Sequence, residues 1–202
     1  MKIFFIILLV VVALIFIVSQ IYLSMSTKET PHQPYKVIRT EKEFEIRFYP
    51  SVTMATISSS AKTYRELGNS GFRKLAGYIF GGNSNQQQIA MTTPVHMDIN
   101  DTASSMSFVM PDGYHKDNLP QPNNAEVKLE NTTDEYVAAI QFGGFASDKK
   151  IKANIEKLER ALQTSKISYY GRFRFLGYNP PFQLFGRKNE IIVSVNAGFE
   201  EK

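Results

Sequence analysis

Sixteen consecutive apolar residues, Ile3 to Val18, dominate the start of the chain; Ser19 and Gln20 interrupt the run before Ile21, Tyr22 and Leu23 extend it. At 1.5 Å per residue, a helix over 3–23 is roughly 30 Å long, the thickness of a bilayer core. All its faces are apolar, so it has no side to offer to water. Residues 1–24 therefore read as one N-terminal transmembrane helix, with a signal sequence as the rival. Signal peptides carry apolar runs of about 7–15 residues and a small-x-small cleavage site; here the run is longer and no Ala-x-Ala follows. Residues 25–34 are polar, contain Pro31 and Pro34, and read as a linker in which His32 is a solvated residue.

The rest alternates between two periods. Over Glu43–Tyr49, Phe44, Ile46 and Phe48 share one face while Glu45, Arg47 and Tyr49 share the other, the pattern of a half-buried strand. Tyr35–Thr40 is its hairpin partner and Val52–Ser59 a third strand. Residues 61–80 change to helical spacing, with Tyr64, Leu67, Phe72, Leu75, Ala76 and Ile79 near one face and Gly81-Gly82-Asn83 as a stop. Gly68 and Gly71 weaken that helix, or let something approach its backbone. Gln88–Met97 and Met106–Met110 are strand-like, and 111–124, with three prolines, is a long irregular loop. The order then repeats. Val127–Glu130 and Tyr136–Phe142 are strands, 147–164 is a helix with the stripe Ile151, Ile155, Leu158 and Leu162, and Arg172–Tyr178 and Glu190–Ala197 are strands. Ser147 is the expected N-cap of the second helix, with Asp148 complementing its dipole. The pattern predicts an α+β domain with a pseudo-twofold repeat, two helices packing on antiparallel sheet.

Composition narrows the chemistry. The 202 residues are 43% apolar with 25 aromatics, and without residues 1–23 the apolar share is still about 37%, enough for a folded domain rather than a disordered chain. Cysteine is absent, which excludes thiol nucleophiles, disulfides and Cys-ligated metals. The net charge is only +4, and the basic residues are interleaved with Glu and Asp, without the concentrated stripe of a nucleic-acid binder. No nucleophile elbow, phosphate loop, HExxH or dinucleotide fingerprint is present, so no catalytic residue, metal site or catalytic cofactor is assigned and the chain does not read as an enzyme. Aromatic and basic residues mix in two places: Tyr64, Arg65, Phe72, Arg73, Lys74 and Tyr78 on the first helix, and the stretch 169–187, which includes Tyr170, Arg172, Arg174 and Phe185. An apolar groove edged by cations suits a flat molecule carrying carboxylates; an ordinary core with solvated strand faces gives the same composition.

Three segments in order, Tyr35-Lys-Val-Ile-Arg-Thr-Glu-Lys-Glu-Phe-Glu-Ile-Arg-Phe-Tyr-Pro, Gly71-Phe-Arg-Lys-Leu-Ala-Gly-Tyr-Ile-Phe-Gly-Gly-Asn and Ile89-Ala-Met-Thr-Thr-Pro-Val, together with Gly177-Tyr-Asn-Pro-Pro-Phe, resemble the SOUL haem-binding protein family over about 35–197. The resemblance implies a distorted antiparallel β-barrel with two helices, built from two similar halves, for a domain at 35–202. It also implies haem, or another tetrapyrrole, bound in a hydrophobic groove beside helix 61–80. By position in the helix motif, Phe72, Lys74, Leu75, Tyr78 and Ile79 are the groove candidates and Arg73 a basic rim; Arg174 is a guess for a second rim cation. No histidine carries over from the family. His96 keeps two readings: a surface or edge histidine pointing away from the apolar face of its strand, or an axial ligand to a haem iron. The expectation is a membrane-anchored tetrapyrrole-binding protein. The alternative is a domain of the same fold binding another amphipathic ligand or a protein partner. Lys2 before an apolar run is the ordinary start of an exported chain and places the body outside the cytoplasm, whereas Lys28, Lys36, Arg39 and Lys42 after the span argue for the opposite orientation.

Overall fold

The computed structural model describes residues 2–100, 102–196 and 198. The long apolar helix α1 spans Lys2–Glu29. It runs through residues 25–29, read above as linker, because Met25-Ser-Thr-Lys-Glu holds no helix breaker and Pro31 is the first. It is long and apolar enough to cross a membrane and buries none of its residues in the body. The segment after it is not free: Gln33 N–H donates to Thr93 O and Thr93 N–H to Pro31 O, both at 2.8 Å.

The body comprises β1 (Lys36–Thr40), β2 (Glu45–Tyr49), β3 (Thr53–Ser59), α2 (Tyr64–Ile79), β4 (Val95–Asp98), β5 (Ser104–Val109), β6 (Lys128–Asn131), β7 (Glu135–Gly143), α3 (Asp148–Thr164), β8 (Tyr169–Gly177) and β9 (Lys188–Val195). All strand pairs are antiparallel, in one sheet of order β1-β2-β7-β9-β8-β4-β5-β3-β6. The runs β4-β5-β3 and β8-β9-β7 are the same three-strand pattern, meeting where β4 pairs β8. Each half is completed by a strand of the other: β6 adds to β3, and β2 adds to β7.

The sheet does not close into the expected barrel. Its outer strands β1 and β6 each pair on one side only. The reason lies in the edges. β1 is exposed, carries Lys36 and Arg39, and shifts register between Val37 and Arg39, features that blunt an edge against pairing. One face of the sheet is covered by both helices, whose Leu67, Leu75, Ile151, Leu158 and Leu162 join one core with Ile57, Met106, Ile140, Phe175 and Ile191. The opposite face carries a smaller cluster, Tyr49, Val137, Ala139, Leu176 and Ile192.

Several boundaries differ from the sequence reading: β5, β8 and β9 begin two or three residues earlier than expected, at Ser104, Tyr169 and Lys188. The strand expected over Gln88–Met97 is regular only from Val95, because Pro94 has no N–H for the ladder and residues 88–93 make isolated bridges. Ala197, the expected end of the last strand, lies outside the described residues. The Gly81-Gly82-Asn83 stop is real. A Cβ on Gly82 would stand 2.5 Å from Gly77 O, and the buried Asn83 side chain donates to Tyr78 O and Gln87 O at 3.0 and 2.8 Å.

Candidate functional site

α2 begins at Thr63, whose hydroxyl accepts the Glu66 N–H at 3.2 Å while Glu66 Oε2 accepts the Lys62 N–H at 3.0 Å. Asp148, in the first turn of α3, accepts the Tyr64 N–H at 2.7 Å and so ties the starts of the two helices together. Gly71 lets α2 lie close on the sheet, since a Cβ there would stand 3.1 Å from Ile57 Cδ1 and 3.3 Å from Met106 Sδ. Of the groove candidates, Leu75, Tyr78 and Ile79 face this contact and are buried. They form the wall behind the helix and present no surface of their own to a ligand.

The outer side of α2 is different. Gly68, Phe72, Ala76 and Phe80 follow one another at intervals of four and make one stripe. Phe72 is 37% exposed and packs edge-on against Phe108, with ring centroids 5.3 Å apart; Phe80 is 63% exposed. No atom lies within 4 Å of where a Cβ on Gly68 would be. Arg65 and Arg73 are exposed beside the stripe, and neither has an ion-pair partner among the described residues. Lys74 is engaged: its Nζ lies 2.8 Å from Glu126 Oε1 and holds that carboxyl below its ordinary range. Tyr78 donates to Pro120 O at 3.0 Å, and burial pushes its phenol up to about 12. These two contacts fasten the 111–127 loop to α2. Between that loop and β6 lies an open depression of about 470 Å³, lined by Lys116, Gln121, Asn124, Val127, Lys128 and Glu130 among others, a polar and apolar mixture rather than a hydrophobic pocket.

Arg174 is not brought to α2. It alternates with Phe175 along β8, and Phe175 is the one that faces the helices. On the opposite face Arg174 makes a two-pronged pair with Glu135 at 3.0 and 2.7 Å. The surface reading of His96 is also overturned: the residue is buried, 6% exposed, with Nε2 2.7 Å from Gln33 Oε1. Burial, with the nearby Arg174 charge, pushes its pKa down to about 3. The segment following α1 brings in Gln33 and covers this strand, which alternation within 88–97 could not show. As for an axial ligand, the Nε2 position is already taken by Gln33.

A buried ion pair escaped the sequence reading altogether. Glu190, fully buried on β9, receives Arg47 Nη1 and Nη2 at 2.9 and 3.1 Å, Tyr178 O–H at 2.6 Å and Lys188 Nζ at 3.0 Å. Burial opposes both charges, yet their mutual attraction wins: the Arg47 guanidinium is raised and the Glu190 carboxyl lowered. Burial and the adjacent Glu190 charge push the Tyr178 phenol up. The one available signal was a glutamate heading the apolar run 190–195. Among the described residues, no cluster of three His, Asp or Glu side chains could hold a metal ion.

Comparison with known proteins bears on the family and the fold. The family model described as SOUL heme-binding protein matches residues 30–194. Heme-binding protein 1 of Xenopus laevis is 29% identical over 156 residues, covering 73% of this chain and 81% of that protein. Heme-binding protein 2 of Mus musculus is 28% identical over 156 residues, covering 73% and 76%. Among solved structures, the EcmrR C-terminal domain superposes with a TM-score of 0.59 at 8% identity, covering 80% of this chain and 98% of that one. A hydrolase from Listeria innocua gives 0.54 at 10% identity, covering 86% and 97%. At such identities these two likenesses concern the fold alone.

Proposed function

The chain belongs to the SOUL heme-binding protein family, and from that premise we propose that it binds haem or a related tetrapyrrole on the outer side of α2. The observation that carries the reading is the stripe Gly68, Phe72, Ala76 and Phe80 beside two exposed arginines without an ion-pair partner among the described residues. A flat ring system needs a face with few projecting side chains; Ala76 leaves such a face between the two phenyl rings, and Gly68 extends it beyond Phe72. Arg65 and Arg73 are placed to take the propionates by charge-assisted, two-pronged hydrogen bonds. Lys74, half-exposed, adds a third cation at the cost of sharing it with Glu126. Leu75, Tyr78 and Ile79 keep the stripe rigid from behind. Haem is cargo in this reading, held by apolar contact and charge, and the protein acts as carrier, buffer or sensor rather than as an enzyme. The openness of the face also suits another amphipathic molecule or a partner surface, which is the second reading. In both, α1 anchors the protein in a membrane with the body on the extracytoplasmic side. Protection of the body from protease added to intact cells would overturn that orientation.

The test is a hemin titration of the full chain in lipid nanodiscs, with empty nanodiscs subtracted. The expected result is a saturable Soret shift with a Kd below about 10 μM, or roughly −7 kcal/mol. It should weaken in Phe72→Ala and in Arg65→Ala/Arg73→Ala. A titration without saturation refutes haem and leaves the second reading.

A further inference from the structure

Gln20 is an anomaly in the apolar run, and the structure shows what it touches. Its side-chain amide reaches the loop between β8 and β9: Nε2 donates to Phe182 O at 3.3 Å, and Oε1 accepts the Leu184 N–H at 2.9 Å. One and two turns further along α1, Ser24 Oγ lies 3.9 Å from where a Cβ on Gly186 would be, and Thr27 Oγ1 donates to Gln183 Oε1 at 2.8 Å. The loop therefore lies along the body-proximal end of α1.

The tip of that loop has an unusual balance. Phe182, Leu184 and Phe185 are 59%, 41% and 69% exposed. Part of its backbone, by contrast, is paired: Gln183 N–H donates to Pro180 O at 3.2 Å. Arg187 turns inward and donates to Pro180 O and Gln183 O, both at 2.7 Å, while its guanidinium stacks on Phe145 at 4.5 Å. Gln183, 2% exposed, donates through Nε2 to Phe185 O at 2.9 Å. Pro180 and Pro181 have no N–H to satisfy, and Gln20 covers Phe182 O and Leu184 N–H. Apolar side chains outward over a partly paired backbone suits interfacial depth, where the remaining polar groups still meet the hydrated headgroup layer. The level agrees. From Ile3 to Gln20 the helix rises about 26 Å against a core of about 30 Å, so the tip sits at one boundary of the bilayer that α1 crosses. The next aromatic, Tyr22, is 71% exposed, as expected of an interfacial belt.

We propose that the Phe182–Phe185 tip dips into the same bilayer leaflet at the end of α1, a second membrane contact that fixes the body's orientation on the surface. This rests on the reading of α1 as a membrane span. The bilayer is the occupant because the tip is continuous with the apolar helix and hydrogen-bonded to it at interfacial depth, about 5–10 Å below the headgroups at most.

The chain contains no tryptophan, so a single introduced one reports its own depth. The full chain carrying Ile15→Trp, Phe182→Trp or Phe185→Trp is reconstituted in phosphatidylcholine vesicles brominated either high on the acyl chain or near its end. The expected result is a blue-shifted emission for all three. Bromines near the chain end should quench Ile15→Trp most, and bromines high on the chain should quench both loop variants most. If Ile15→Trp is quenched and both loop variants emit as in water without quenching, the loop insertion is overturned while the span stands. If none is quenched, the span and the insertion fall together. Two loop variants at exposed positions guard against a single misfolded protein deciding the result.

Discussion

Replacing Arg47 with Met would leave the Glu190 carboxylate fully buried without its two-pronged partner. Removing one member of a buried pair costs about 3–5 kcal/mol, because the charge left behind is uncompensated. Lys188 at 3.0 Å and Tyr178 at 2.6 Å remain and place the cost near the lower end. For a body of this size each kcal/mol lowers Tm by about 2–4 °C, so Arg47→Met should melt about 6–12 °C below the parent, followed by tyrosine near-UV circular dichroism in nanodiscs. The pair also titrates with a definite sign. Glu190 is held below its unfolded value, so its stabilisation is complete above about pH 4.3 and is lost as pH falls through the lowered folded value. In Arg47→Met burial dominates and raises that carboxyl, so acidification neutralises it and relieves the penalty. The gap in Tm between parent and variant should therefore narrow below about pH 4. Arg47→Met/Glu190→Leu should recover most of the loss, since an apolar replacement of the whole pair is close to neutral. Arg47 and α2 lie on opposite faces of the sheet, so hemin affinity well below Tm should not change. A Tm for Arg47→Met within 2 °C of the parent, estimated against the same scaling, would refute the burial argument.

Further outcomes follow from the same geometry. Phe72→Ala removes an exposed ring that rests on Phe108 and should weaken hemin binding about 5–10-fold, read as Kd in the Soret titration. Gly82→Ala puts a Cβ 2.5 Å from a backbone oxygen and should destabilise by about 2–3 kcal/mol, measured by the shift in Tm; an unchanged Tm would show the turn to be slack. His96 is held near 3 in the fold, against about 6.5 in the unfolded chain, so the parent should lose stability as pH falls below 6.5. His96→Gln should flatten the Tm profile between pH 6.5 and about 5 and leave the Soret spectrum unchanged; a changed spectrum would make His96 an iron ligand. Asp148→Ala uncaps Tyr64 N–H and should cost about 1 kcal/mol, again seen in Tm.

Local periodicity was enough wherever one element decides its own burial. Phe44 and Ile46 and the stripe Ile151, Leu158, Leu162 point to the core as read from the chain, although Phe48, third in the first alternation, is only partly buried, and the Gly-Gly-Asn stop ends α2 within a residue or two. What failed needed a partner distant in sequence. Arg47 and Tyr49 look solvent-facing on β2 alone, and are buried by Glu190 and Tyr178 from strands that no spacing rule connects to them. His96 looks like an edge histidine until Gln33 arrives from the segment after α1. Motif position marked Phe72, Lys74, Leu75, Tyr78 and Ile79 together as groove residues; only packing against the sheet separates the buried Leu75, Tyr78 and Ile79 from Phe72 on the exposed stripe. Barrel closure was likewise undecidable from strand count, because it depends on whether β1 meets β6.

The crossing-over of β2 and β6 has a consequence for how the chain can come apart. Remove residues beyond the 111–127 loop and β3 loses its outer neighbour β6, β4 its neighbour β8, and β2 is left without β7. Neither half has a complete set of hydrogen-bonding partners within its own sequence, so neither is an independent folding unit despite the symmetry of the plan. The two halves should melt in one transition. A polypeptide nicked in that loop should behave as a two-piece complex whose fragments regain structure only when mixed.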